Sequence, residues 1–111
     1  MARDSVGPAP KAAIVPLLRV RAPARHEIES VFDWYRERSS AAAEGFLDAV
    51  DEAFSQIMRA PAQYPVIRGR LRRVILAGYP YAVYFKAYPQ VISVVGVIHG
   101  HRHPNSWLRR A

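Results

Sequence analysis

The chain has no cysteine. Disulfide frameworks, thiolate zinc sites and cysteine nucleophiles are therefore excluded, and a reducing compartment suits it. Carboxylates stop early: all nine Asp and Glu lie between Asp4 and Glu52. Lysine is scarce too, with Lys11 and Lys86 the two among 16 basic residues. Long apolar runs are missing. The longest stretches without Asp, Glu, Lys, Arg or His, Val74–Phe85 and Ala87–Ile98, are 12 residues each. Lys86 separates them and Gly78, Pro80, Pro89 and Gly96 break them, whereas a membrane helix needs about 20 apolar residues. Residues 1–13 lack the apolar stretch of a secretory signal, so the expected location is the cytoplasm. No Walker loop, dinucleotide fingerprint, G-x-S-x-G or H-E-x-x-H motif occurs.

What is present describes one domain. A chain of 111 residues can bury roughly two-thirds of its unfolded surface. Its 50% hydrophobic and 23% charged content is that of a globular protein. The net charge of +7 is unevenly placed. Residues 1–52 carry seven bases and nine acids; residues 53–111 carry nine bases and no acid. This asymmetry points to a polyanion or an acidic protein as partner. The basic residues are mostly Arg, which favours planar, bidentate contacts to phosphate or carboxylate. A coding bias accounts for abundant Arg and Ala, but not for the absence of acids from the second half.

The pattern along the chain predicts β-α-α-β-β-β. Residues 1–13, with Gly7, Pro8 and Pro10, read as a disordered leader, and residues 14–111 as the domain. Leu18 and Val20 alternate with Leu17, Arg19 and Arg21, as in a half-buried strand. Pro23 suits the first turn of a helix. Ala24, Ile28, Val31, Phe32 and Tyr35 then form one apolar face, with Glu27 and Glu29 early and Arg36 and Arg38 late, as the helix dipole favours. Ser39 and Ser40 make a short joint and an N-cap. A second helix carries Ala43, Phe46, Leu47, Val50, Phe54, Ile57 and Met58 on one stripe and ends at Pro61. So short a joint makes an αα-hairpin. After Pro65, Arg68-Gly69-Arg70 reads as a turn. Three strands follow, Leu71–Ala77, Tyr81–Lys86 and Val91–Ile98, joined at Gly78 and at Tyr88-Pro89-Gln90. The expected class is α+β, a helical hairpin packed on a small, mainly antiparallel sheet.

Several residues invite chemical readings. His99, His101 and His103 would share one face of an extended strand and offer acid–base or metal chemistry. No carboxylate follows Glu52 to orient them, which argues against a built metal site, and no metal or cofactor is expected. Arg72 and Arg73 alternate across the first meander strand and Arg102 follows the last, so two guanidinium groups at neighbouring strand ends can clamp phosphate. An ordinary charged sheet edge is the alternative. Tyr79, Tyr81, Tyr84 and Tyr88 offer stacking surfaces, with core packing the default for strand tyrosines.

Taken in order, the Ala24…Ile28…Tyr35 helix, the Phe46…Ile57…Pro61 helix, Arg73, Gly78-Tyr79-Pro80-Tyr81-Ala82-Val83-Tyr84 and the ending Val97-Ile98-His99-Gly100-His101-Arg102-His103-Pro104…Trp107 resemble the RelE/ParE superfamily of type II toxins, the ParE branch in particular. The resemblance covers about residues 14–110. It implies a small basic toxin encoded beside an antitoxin, of the kind that stabilises plasmids. ParE-like toxins act on DNA gyrase and block replication; the antitoxin is ParD-like, joining a ribbon-helix-helix domain to a tail that wraps the toxin. The expected target- or antitoxin-binding residues are Arg72, Arg73, Tyr84, His99, Arg102 and Trp107, with no catalytic residue. RelE-like members instead cut ribosome-bound mRNA. On that alternative Arg73, His99 and Arg102 form the catalytic set, with a His as base, because Trp107 cannot transfer a proton. A basic module that binds nucleic acid directly is the third reading.

Overall fold

The computed structural model describes residues 16–102. The expected leader, and His103 and Trp107, lie outside the described residues. The elements run β1 (Leu17–Val20), α1 (Ala22–Arg36), α2 (Ser40–Arg59), a 3₁₀ turn (Pro61–Gln63), β2 (Val66–Arg68), β3 (Leu71–Ile75), β4 (Tyr81–Ala87) and β5 (Val91–His99). The α+β class holds. One strand more than expected is present: β2 pairs antiparallel with β3 across a turn at Gly69 and Arg70. At three residues between Pro65 and that turn it is too short to show a period. Gly69 enters the turn at φ 58°, a conformation glycine adopts without penalty.

The sheet order is β1-β5-β4-β3-β2. β1 lies parallel to β5, Leu17 beside Val91 and Val20 beside Val94; the other neighbours are antiparallel. Between Tyr84↔Gly96 and Phe85↔Val94 the register slips, leaving Val95 as an extra residue. This β-bulge puts Val94 and Val97, three apart, on the same side of the sheet, in the core beneath the helices.

Local chemistry sets the helix ends. Pro23 sits in the first turn of α1, where its missing N–H costs nothing. The first turn holds no acid, contrary to the expected dipole pairing. Glu27 reaches across to the sheet instead, and its Oε1 accepts the Val97 N–H at 2.9 Å. For α2, Ser39 Oγ accepts the Ala42 N–H at 3.1 Å, a side-chain N-cap.

Ala43, Phe46, Val50, Ala53 and Ile57 form the buried line of α2. All but Ala43 meet Ala24 of α1 and Val74, Val83, Phe85, Ile92, Val94 and Val97 of the sheet in one cluster. Phe54, expected among the anchors, lies beside this line and is half-buried; Ala53 takes the central place. Aromatic rings close one end of the layer. Tyr35, Phe46 and Tyr79 lie 5.3–5.9 Å apart pairwise, and Tyr81 touches Phe46 edge-on at 5.8 Å. Burial first, and then the Tyr81 and Tyr79 hydroxyls, raise the Tyr35 pKa above its ordinary value. Tyr79 also donates its hydroxyl hydrogen to the Ala42 carbonyl at 2.8 Å. That hydroxyl lies 2.5 Å from where a Cβ on Gly45 would stand, so Gly45 is required by close approach.

Two stability tests follow. Phe46 is fully buried, so Phe46→Ala should cost about 3–5 kcal/mol in urea unfolding and Phe54→Ala less than half of that. Gly45→Ala should destabilise the parent, since the added methyl evicts the Tyr79 hydroxyl. In a Tyr79→Phe background the nearest ring carbon is 3.6 Å away; there the same change should stabilise by up to about 1 kcal/mol through helix propensity. A double-mutant cycle in which Gly45→Ala has the same effect in both backgrounds would break this account.

Candidate functional site

The uneven charge along the chain becomes a division between layers. The carboxylates from Glu27 to Glu52 sit on α1, α2 and their joint, whereas Arg19, Arg68, Arg70, Arg72, Arg73, Lys86 and Arg102 belong to the strands and their turns. The sheet's far face, turned away from the helices, holds a second small apolar cluster of Leu71, Ala82, Tyr84 and Ile98.

The register sorts the expected site residues onto these two faces. Arg72 pairs with Phe85 and faces the helices; Arg73 pairs with Tyr84 and faces away. Arg72 Nη1 donates to the Tyr64 and Ala62 carbonyls, tying the 3₁₀ turn to the sheet, which makes it a structural residue in this arrangement. Arg73 Nη1 donates to the Tyr84 hydroxyl oxygen at 3.3 Å, and Tyr84 is only 2% exposed. His99 pairs with Tyr81 on the helix side, its ring edge-on to Tyr81 at 5.2 Å. His99 Nδ1 accepts the His101 N–H at 3.1 Å, and the two imidazoles stack at 5.0 Å. That bond leaves Nδ1 unprotonated and the neutral ring's proton on Nε2. Arg102 lies exposed in the turn after β5, its N–H donating to the His99 carbonyl at 3.0 Å.

The structure therefore joins Arg73 to Tyr84 and His99 to His101, but Arg73 and His99 occupy opposite faces of the sheet. Among the described residues no group of three or more His, Cys, Asp or Glu is placed to hold a metal. No helix among them is long and apolar enough to cross a membrane.

Two surfaces escaped the sequence reading. On the helical layer, Ile28, Phe32 and Leu47 with Glu29 and Asp33 line an apolar groove of about 380 Å³. Trp34, 51% exposed, lies in the next turn of α1, with the Arg38 guanidinium 3.7 Å from its ring centroid. On the far face, Arg19, Arg21, Lys86, Tyr88 and Ser93 line a cleft of about 380 Å³. The alternation in β1 put Arg19 and Arg21 on one side. Nothing local announced that β5 would carry them beside Lys86.

Arg72→Ala should lower stability by about 1.5–3 kcal/mol, the scale of hydrogen bonds to a charged donor, measured by urea unfolding. Arg73→Ala, which loses one such bond, of 3.3 Å, rather than two, should cost less. The reverse order would mean that the faces of β3 are assigned wrongly.

Comparison with known proteins agrees with this architecture. A structure of the chromosomal ParDE TA system from P. aeruginosa superposes with a TM-score of 0.67 at 15% sequence identity, covering 77% of this chain and 96% of that one; the likeness is one of fold. No curated protein matches the sequence. The family of the ParE toxin of the type II toxin-antitoxin system, parDE, matches residues 18–104. That span includes both helices, β1 from Leu18 on, the other four strands and the Arg73–Tyr84 pair, and this chain belongs to the ParE toxin family of type II toxin–antitoxin systems.

Proposed function

We propose that this toxin acts by binding, with DNA gyrase as its target, in the cytoplasm where replication takes place. The observation that carries the reading is the separation of Arg73 from His99 by the thickness of the sheet. Ribonuclease chemistry of the RelE kind needs an acid–base group and a phosphate-stabilising cation on one substrate. Here Arg73 lies on the far face, while His99 lies on the helix side with one ring nitrogen engaged by the backbone of His101, so that of its two expected cations only Arg102 lies near it. Arg73 and Arg102 serve as contact residues, and the buried Tyr84 hydroxyl positions the Arg73 guanidinium.

The neutralising partner is a ParD-like antitoxin, a ribbon-helix-helix domain with a tail that wraps the toxin. The groove of Ile28, Phe32 and Leu47 suits the apolar face of a helix, and the edge strands β1 and β2 suit strand addition; both are common ways of seizing a peptide. The exposed Trp34 with Arg38 is a hot-spot pairing on the opposite flank of α1 from this groove.

Purified toxin should inhibit gyrase supercoiling at near-stoichiometric ratio. His99→Ala and His101→Ala should weaken toxicity only mildly, since neither is asked to move a proton. A general acid or base contributes roughly 10²–10⁴ in rate. Loss of toxicity in a folded His99→Ala protein, with ribosome-bound mRNA cut only by the parent, would therefore establish the endoribonuclease instead.

A further inference from the structure

The far-face cleft is built from three neighbouring strands in register. Arg19 of β1 stands beside Ser93 of β5, and Ser93 stands beside Lys86 of β4. Cation, hydroxyl and cation thus form one row across the sheet. Strands lie about 4.8 Å apart, so the Cα atoms of Arg19 and Lys86 are about 10 Å apart with Ser93 midway. Two long side chains at that spacing can meet over the hydroxyl between them. Arg21, two residues along β1, lines the same cleft, as does Tyr88.

The wall at Tyr88 is held in place. Arg70 spreads its guanidinium 4.9 Å from the Tyr88 ring centroid and donates to the Ala87 carbonyl at 3.3 Å. No carboxylate lines the cleft; among the described residues the acids are on the helices and their joint, across the sheet. The positive surface does not stop at the cleft, because Arg73 projects from the same face two strands beyond β5.

We propose that this cleft binds the phosphodiester backbone of nucleic acid, one phosphate seated over Ser93 between Arg19 and Lys86. The ligand class follows from three features. The donors are Arg, Lys and a hydroxyl, the set that commonly contacts phosphate oxygens. At about 380 Å³, the space is within the range of small-ligand pockets. The charge continues across the face toward Arg73, as a repeating polyanion requires and a single free phosphate does not. The site is built on Arg19, Ser93 and Lys86, none of which is among the proposed gyrase contacts, and it stands whether or not gyrase is the target.

The test is fluorescence anisotropy of the purified full chain with a labelled 20-base-pair DNA duplex and the matching single strand, between 50 and 200 mM NaCl. Arg19→Gln/Lys86→Gln should weaken binding at low salt and flatten the plot of log K against log[salt] by about 0.9 for duplex, the slope of the one phosphate they share. Arg19→Gln and Lys86→Gln alone should each remove about half of that, which keeps the test open if the double variant folds poorly by circular dichroism. Arg36→Gln/Arg59→Gln, on the helical layer, removes the same net charge and should leave the slope unchanged. An equal loss of slope in that control would reduce the effect to net charge and overturn the site. Competition by polyglutamate as strong as by unlabelled DNA would overturn the ligand class in favour of acidic protein. Complete displacement of DNA by millimolar orthophosphate would overturn the backbone assignment in favour of a free-phosphate site.

Discussion

The parallel pairing of β1 with β5 is the constraint on which the rest of this structure depends. It joins residues more than 70 positions apart, Leu17 to Val91 and Val20 to Val94. Closing so long a loop costs entropy that only contacts within the sheet and its core can return. The pairing lasts for four residues, after which the chain turns up into α1. β5 continues beyond that point and would leave a bare amide on its outer side. Glu27 accepts the Val97 N–H there, so the helix that ends the strand pairing also completes it. Because α1 is tied to β5 in this way, the hairpin is fixed over one face of the sheet and the other face is left uncovered by helices.

The same pairing converts a sequence asymmetry into a spatial one. Acids in the first half become a negative helical layer, and bases in β1 and in the second half become a positive sheet layer. Like charges gathered on one layer repel, which is a cost to folding that a purely structural role would not select. The benefit is a field with a direction, able to orient an approaching polyanion before contact. The surface ion pairs Arg36–Asp33, Arg38–Glu37 and Arg59–Glu52 are long and exposed, at 3.7–3.8 Å, and lie within the helical hairpin. Exposed pairs of that kind contribute little to stability.

Much of the fold was legible because its signals are local. Ser39 as N-cap, Pro23 at the start of α1, Pro61 after α2 and the three strands of the meander all rest on residues a few positions apart. What was missed depends on distant partners. β2 is three residues long and exists because β3 offers it an edge. The bulge at Val95 spoils strict alternation, and only the partner strand reveals it. Phe54 looked equal to Phe46 on the helical stripe, yet the sheet meets the line that runs through Ala53. The site was less legible than the fold for the same reason. Arg72 and Arg73 are adjacent in sequence and serve opposite faces. The row Arg19–Ser93–Lys86 is assembled from three strands, of which β1 is remote in the chain.

The two binding surfaces proposed here lie on opposite sides of one core, and this sets what an antitoxin must do. A helix laid in the groove of Ile28, Phe32 and Leu47 covers the helical layer and leaves Arg73, Lys86 and Arg19 open on the far face. A rigid, two-layer domain has no obvious lever by which occupation of one side would close the other, since close-packed interiors yield little. Neutralisation then has to be steric or electrostatic, and it has to travel around an edge. The strands available at the edges are short, β1 of four residues and β2 of three, so a tail passing them can make only a few main-chain bonds before it reaches the far face. There it meets a surface whose charge is all of one sign among the lining residues of the cleft. A tail that is apolar where it crosses the helices and acidic where it reaches the sheet satisfies both conditions in one segment. Its acidic part would occupy the sites that a phosphate chain would otherwise fill.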